Sequence, residues 1–519
     1  MAISSAIETV VPYLTKWYSI LVGAILVYFV TNYIKQEIFK RKHGCVEGPI
    51  LQDTGIFCIP LLLKLLKVKR EGGLGEMTYH FFSIMPQSFV IRLIGVRIIM
   101  TCDPENIKAV LATQFNDFAL GNRHEHFKPV LGDGIFTLDG EGWKHSRAML
   151  RPQFARDQVA HVQALEPHMQ VFFKHVQNNK GKTFDLQKLF FEFTVDTASE
   201  FLFGESVHSL YDESVGLKTP NHIDGLAEFP HAFNTVQHYL ASRSWSQFMY
   251  WVINPSEFRK VTKIVHKVAK YYVDRALSLT PEELEEKSKS GYVFLYELAK
   301  HTRDRKVLQD QLLNILVAGR DTTAGLLSFT FYELARNPDV FEKLKAEINE
   351  TFGSGSNVDL SLITFESLKK CEYLKCVLNE VLRLYPSVPI NFRVATRDTV
   401  LPRGGGQDNN SPLFVGKGST VAYSAYVTHR LEEYYGKDSL VFRPERWLES
   451  QKLGWAYVPF NGGPRICLGQ QFALTEASYV VTRLIQQFPN LVSKDSGPYP
   501  PRKMMHLTMC HNEGVFVQM

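Results

Sequence analysis

The sequence predicts a mainly α-helical fold with a minor β part. Two long stretches of helical periodicity carry most of that prediction: VLQDQLLNILVAGRDTTAGLLSFTFYELARNP at 307–338 and SLKKCEYLKCVLNEVLRLYP at 367–386. The third observation is that strand-like runs are short and few, the clearest being FVIRLIGVRIIMTC at 89–102. Apolar side chains recurring every three or four residues mark one face of a helix, whereas Val- and Ile-rich runs bounded by turn residues mark strands.

Each element follows from local chemistry. Trp17 to Ile34 is eighteen residues without a charge, followed by Lys35, Lys40, Arg41 and Lys42. Trp17, Tyr18, Tyr28 and Tyr33 stand where interfacial aromatics belong, and the cations place the C-terminal side in the cytosol. Residues 1–42 therefore read as a membrane anchor with a basic stop, the alternative being an apolar helix folded into the core. Residues 43–75, with Gly48-Pro49 and Pro60, read as a hinge, and 76–519 as one large domain.

At 89–102 a strand pair is expected around Gly95. Asp103-Pro104 starts a helix, because Asp caps and proline tolerates the first turn. Pro338 and Pro386 end the two long helices. Short strands are expected at 389–401 and 419–423, with 404–412 as a surface turn or flexible loop. The glycines at 72, 73 and 75 follow no strand and complete no dinucleotide-binding pattern. Reducing power for any redox chemistry must then come from another protein.

Bulk composition narrows the classes. Of 519 residues 45% are hydrophobic, enough for a large core, and 58 basic against 53 acidic residues leave a net charge of +5. That excess is small and dispersed, which excludes a nucleic-acid binder. The seven cysteines are sparse and odd in number, unlike a disulfide framework, and indicate a reducing compartment. Cys371 and Cys376 lack a second pair at zinc spacing and read as buried thiols.

One cysteine differs. Cys467 lies in PFNGGPRICLGQQ (459–471), among Gly462, Gly463 and Gly469. A thiolate that ligates iron needs loop access, backbone N–H groups aimed at sulfur, and a dry surround. Glycines let the backbone approach, Phe460 can shield the sulfur, and Arg465 can pair with an anionic group of a ligand. The helical run after Gly469 favours negative charge at its N-terminus. On the long helix, Ala318 and Thr322 are four residues apart and share a face, whereas Arg320 points about 200° away from Ala318. Asp321 and Thr322 set an acid beside a hydroxyl. A polar cluster that caps or kinks the helix is the alternative.

With these residues in place the chain resembles the cytochrome P450 superfamily, whose signature F-x-x-G-x-R-x-C-x-G is met by Phe460, Gly463, Arg465, Cys467 and Gly469. The resemblance implies the cytochrome P450 fold, with an α-rich large domain, a small β-rich region and an N-terminal transmembrane helix. It implies haem b held by Cys467. Trp143 and Arg147 of WKHSR, with Arg465 and Arg393 (the last on a looser local pattern), are implied to contact the propionates. Asp321 and Thr322 become the proton-relay pair. Glu380 and Arg383 of NEVLR, which alone would pass for a surface ion pair, join Arg446 of FRPERW in a buried triad. Electrons are implied to come from NADPH through NADPH–cytochrome P450 reductase, with cytochrome b5 as a further partner. Lys144, Arg151 and Arg156 are the candidate docking cations.

The blocks FNGGPRICLGQQFALTEA, AGRDTTAGLLSFTFYELARNP and LGDGIFTLDGEGWKHSRAMLRPQF narrow the resemblance. They are similar to the alkane-inducible family of ascomycete yeasts, whose members hydroxylate n-alkanes and long-chain fatty acids at the terminal carbon. That implies an endoplasmic-reticulum membrane protein with its catalytic domain on the cytosolic side. Aromatics at 115–136 (Phe115, Phe118, Phe127, Phe136) and 239–252 are expected to line an apolar tunnel or to be plain core. Arg243 or Arg320 is the candidate for a fatty-acid carboxylate. The alternatives are a monooxygenase of another lipid class such as sterols, a peroxide-rearranging lyase, and a non-catalytic membrane haem sensor or carrier. An intact Asp321-Thr322 pair argues against the lyase.

Overall fold

The computed structural model describes residues 2–51, 59–93, 96–155, 162–220 and 223–519. Cys58, Gly95, Arg156 and the side chain of Trp17 lie outside the described part. The helices that build the site are α1 (Ala2–Lys42), α2 (Arg123–Leu131), α3 (Gly140–Leu150), α4 (Leu186–Phe203), α5 (Phe229–Trp245), α6 (Arg305–Arg336), α7 (Phe365–Lys370), α8 (Glu372–Leu384) and α9 (Gln470–Gln487). The strands are β1 (Ser88–Leu93), β2 (Val96–Thr101), β3 (Phe118–Ala119), β4 (Phe184–Asp185), β5 (Asn391–Ala395), β6 (Thr399–Gly405), β7 (Ser411–Val415), β8 (Thr420–Tyr423), β9 (Val492–Ser493), β10 (Lys503–Met505), β11 (Met509–His511) and β12 (Phe516–Gln518). The fold is mainly helical, as expected.

The 89–102 strand pair is present: β1 and β2 pair antiparallel. They form one edge of a five-stranded sheet in the order β1-β2-β8-β5-β3. Asp103 caps the following helix as its sequence predicts, accepting from Glu105 and Asn106 N–H groups. At the head of α6 Asp304 accepts from Lys306 and Val307 N–H groups, and the helix stops at Asn337 before Pro338.

One expectation needs correction, and a second gains detail. Residues 367–386 are not one helix but α7 and α8, with Cys371 extended between them at ψ 102°. The Glu347 carboxylate accepts from the Tyr373 and Leu374 N–H groups at 2.8 and 2.9 Å. A distant acid thus caps α8, a signal no local reading contains. Residues 404–412 are not simply a loop, since β6 and β7 pair as a hairpin. Asn409 adopts φ 62° at its turn. Its side-chain amide accepts from Ser88 N–H at 2.9 Å and donates to the Ser88 carbonyl at 2.8 Å.

The core places α6 at its centre. Its C-terminal half packs with α8 and α9 in one large apolar cluster that also takes in Phe172, Phe190 and Phe193. A Cβ on Gly325 of α6 would lie 2.6 Å from the Met509 carbonyl oxygen, so only glycine lets β11 approach the helix there. Cys371 and Cys376 are buried thiols, and the described residues contain no metal-holding group of His, Cys, Asp and Glu.

α1 is a continuous helix of 41 residues, and its apolar side chains from Tyr18 to Ile38 stand exposed. Among the described residues no helix is long and apolar enough to cross a membrane. The charge-free run covers roughly 27 Å at the helical rise, just under the ~30 Å of a bilayer core.

Candidate active site

Cys467 sits where its loop meets α9. Its N–H donates to the Phe460 carbonyl at 3.0 Å, which folds PFNGGPRIC back on itself. Gly463 makes that turn possible, at φ 66° with a Cβ position 1.9 Å from the Leu111 carbonyl oxygen. Gly469 contributes differently. A Cβ there would meet Phe154 at an ordinary 3.7 Å, and its backbone N–H donates to the Cys467 sulfur. Phe460 is half-buried and packs against the main core.

Protein surrounds the sulfur closely enough that burial pushes the thiol pKa up, an effect tempered by the Gly469 amide and by the Arg147 charge. The Cys467 side chain nevertheless keeps accessible surface. It opens onto a cleft of about 610 Å³ lined by Arg147, Arg151, Phe154, Ile466 and Leu468. Arg151 of the candidate docking set therefore lies beside the thiol, whereas Lys144 is exposed and paired with Glu141 at 2.7 Å.

Trp143 of α3 is buried. The Arg465 guanidinium lies 4.4 Å from its ring centroid and that of Arg147 lies 5.9 Å away. Arg147 also donates to the Ile466 carbonyl at 3.0 Å. α3 and the cysteine loop are thereby locked to each other. Arg465 pairs with Asp139 at 2.7 Å. Arg393, on β5, is buried and donates to the Phe392 carbonyl at 2.7 Å.

A further guanidinium joins this wall that the sequence reading did not single out. Arg123, at the start of α2, donates to Asn391 Oδ1 at 2.8 Å and stacks 4.9 Å from the Phe392 centroid. Burial, then the neighbouring Arg393, pushes its pKa down to about 9, with Arg465 adding to the repulsion. Arg465 is likewise pushed down to about 10 by burial and by Arg393 and Arg147, with Asp139 opposing. Arg123, Arg393 and Arg465 thus repel one another in a low-dielectric wall, with Asp139 answering only Arg123 and Arg465, an arrangement an anionic ligand would relieve. The paired propionates of haem carry that charge, and a thiol presented from a glycine loop suits its iron. The residues present fit the group.

α6 carries the acid and the alcohol. Thr322 Oγ1 donates to the Ala318 carbonyl at 2.7 Å, the back-bonding expected of a helical threonine. Asp321 is buried, and burial raises its carboxyl pKa, opposed by Arg320 and His238. Arg320 does point away from Ala318, lying 5.4 Å from the Phe191 and 5.9 Å from the Phe233 ring centroids. Glu476 of α9 is a second residue the sequence reading missed. It accepts from Thr197 Oγ1 of α4 at 2.7 Å, and burial raises it to about 7. A carboxylate with Phe472 and Val480 four residues to either side is the signal that would have found it, since a lone acid on an apolar stripe needs a buried partner.

Two substrate-side expectations change. Arg243 donates to the carbonyls of His126, Tyr250, Ile253 and Glu125, so its guanidinium is already used by backbone. It is a structural residue. Phe118 and Phe127 are core residues, while Trp245, Met249, Trp251 and Val252 are exposed.

A thiol presented from a glycine loop beside a wall of guanidiniums, in a chain whose central helix carries an acid–alcohol pair, points to a haem-thiolate protein of the oxygen-activating class. The sequence comparisons agree. The cytochrome P450 family model matches residues 55–519. Cytochrome P450 52A3-A of Candida maltosa is 64% identical over 521 residues, covering 100% of this chain and 99% of its own length. Cytochrome P450 52A6 of Candida tropicalis is 62% identical with 100% of both chains covered, and cytochrome P450 52A13 of Debaryomyces hansenii is 61% identical over 99% of this chain and 100% of its own. The chain belongs to the cytochrome P450 family and is a haem-thiolate monooxygenase.

Replacing Arg123 by Gln tests the cationic wall. Haem retention should weaken about tenfold, the scale of one hydrogen bond to a charged group. Haem loss to an excess of apomyoglobin measures it. The Cys467-dependent spectrum of the fraction still loaded should be unchanged.

Proposed function

We propose that the protein hydroxylates n-alkanes and long-chain fatty acids at the terminal carbon, from the cytosolic face of the endoplasmic-reticulum membrane, with electrons passed from NADPH by its reductase. The acid–alcohol pair carries the reading, because a haem carrier or sensor has no use for a buried Asp321 beside Thr322 on α6. Haem, when bound, supplies dioxygen activation and oxygen insertion, tuned by electron donation from its thiolate. Cys467 holds it, Arg123, Arg147, Arg393 and Arg465 with Trp143 orient it, and the Phe460 carbonyl fixes the loop that presents the sulfur. Asp321 and Thr322 hold and pass the protons that the reaction consumes.

The exposed apolar face of α1 supports membrane attachment. Interfacial tyrosines and the snorkelling of Lys35 can extend an apolar run slightly short of the bilayer core. The exposed Trp245, Met249, Trp251 and Val252 at the end of α5 form a second apolar patch suited to the same surface. Residues 1–42 then serve as anchor, 43–75 as hinge and 76–519 as the catalytic domain. The reductase would approach the Cys467 cleft beside Arg151.

Microsomes holding the protein and a reductase, supplied with dodecane and lauric acid, should yield terminal alcohols from both. No terminal alcohol from either would overturn the substrate assignment. In Thr322→Ala the reduced-CO spectrum should persist while product formed per NADPH falls about tenfold, water replacing the lost hydroxyl only in part.

A further inference from the structure

Asp321 must be recharged with protons from solvent, and it is buried. A second cleft, of about 520 Å³, reaches it from outside α6, between α4, α5 and the β10–β11 hairpin. Asp321 and Arg320 form its floor, and Gln237, His238 and His506 line its wall. Thr322, on the other side of the acid, is not among its lining residues. Asp321 thus lines a solvent-facing cleft that its neighbour Thr322 does not.

We propose that this cleft is the proton inlet of the enzyme and that His238, on α5, is the relay residue that hands solvent protons to Asp321. The proposal rests on the reading of Asp321 as the acid of the relay pair. His238 is exposed at its outer edge, and its ring lies against that of His506, with centroids 4.4 Å apart and planes tilted by 49°. The two imidazoles come from different elements, α5 and the hairpin, and meet over the buried carboxylate. Arg320 Nη1 faces Asp321 Oδ1 at 3.3 Å as an ion pair without hydrogen-bond geometry, and Arg320 Nε has no hydrogen-bond partner, which leaves a polar site on the cleft floor for ordered water.

The electrostatics suit a shuttle. Burial, with Arg320 and Lys69, lowers the proton affinity of His238 while Asp321 raises it. His506 is pushed down to about 4, chiefly by burial. Both rings are then neutral at pH 7, and a neutral imidazole accepts a proton at one nitrogen and releases one from the other. The balance is one proton in from bulk water at the His238 ring and one out to an Asp321 carboxylate oxygen, with no electron transferred. His238 touches neither substrate nor haem and acts through Asp321.

The test uses the full-length protein with its reductase. His238→Gln should keep the reduced-CO spectrum and the substrate-induced spectral shift, while product per NADPH falls about threefold to tenfold and the solvent deuterium isotope effect on turnover rises. His238→Glu, which restores a titratable group, should recover most of the coupling, as no purely structural role would. Apart from turnover, NMR titration of the His238 ring should show its pKa fall when Asp321 is replaced by Asn. Unchanged coupling and isotope effect in His238→Gln, alongside impaired Asp321→Asn, would overturn the inlet and leave the relay pair standing. Unimpaired Asp321→Asn would overturn the relay pair itself.

Discussion

Cys467→Ala is expected to express as a folded protein that shows no thiolate band in the reduced-CO spectrum and forms no product. The loop's fold does not depend on the side chain. Its turn is made by the Cys467 N–H bond to the Phe460 carbonyl and by Gly463 at positive φ, and both survive the substitution. The thiol accepts from the Gly469 N–H but donates to no neighbour that would be orphaned. The lost bond is therefore to iron, with little to the fold. Activity should fall to background, because no other described cysteine stands in for it: Cys102, Cys371 and Cys376 are buried elsewhere in the core, Cys45 follows α1 and Cys510 lies on β11. Cys467→Ser tests the ligand chemistry more finely, keeping volume and removing the soft sulfur donor. The readouts are the reduced-CO difference spectrum, haem content, and circular dichroism as the control for folding. A variant with the parental band would overturn Cys467 as the ligand.

The parts of this molecule legible in its sequence are those whose chemistry is local. The cysteine loop could be read because glycines, thiol and guanidinium act within ten residues of one another. The same holds for Asp103 and Asp304, each capping the helix that follows it. What stayed hidden is set by partners far along the chain. Nothing near Arg123 announces that it will stand against Arg393 and Arg465. The break at Cys371 comes from Glu347, more than twenty residues upstream. The strands β9 to β12 are two or three residues each, too short for an alternating pattern to register. Arg243 shows the converse: its type suggested a carboxylate ligand, and four carbonyls from α2 and the end of α5 consume it.

The second large effect belongs to Glu380. Both its oxygens are fully engaged: Oε2 accepts from Arg383 Nε at 2.9 Å and Trp447 Nε1 at 3.0 Å, and Oε1 accepts from Arg383 Nη2, Arg446 Nε and the Arg443 N–H. Glu380, Arg383 and Arg446 are each 0% exposed. Two guanidiniums share one carboxylate, and the remaining N–H groups go to carbonyls of His429, Ser439, Val441, Tyr435 and Asp438. Glu380→Gln keeps the shape and removes the charge, leaving buried Arg383 without an anion and Arg446 with only the part-exposed Asp438 carboxylate at 3.2 Å. Breaking a buried pair this way costs about 3–5 kcal/mol, against a total stability of roughly 5–15 kcal/mol. The damage should reach the haem site. His429, held neutral by burial and neighbouring Arg430 and Arg383 with its pKa down to about 3, accepts the Val458 N–H at 2.9 Å and so anchors the strand of chain leading into the cysteine loop. The Arg383 guanidinium binds the His429 carbonyl directly. Glu380→Gln should therefore lower the denaturant midpoint and the yield of haem-loaded protein together. Cys467→Ala should lose haem without the matching loss of midpoint. Arg443→Ala is the control: its side chain is 35% exposed and its partners Asp438 and Glu449 lie at the surface. Removing it should cost no more than about 1 kcal/mol. A Glu380→Gln protein as stable as Arg443→Ala would show that the triad does not hold the core.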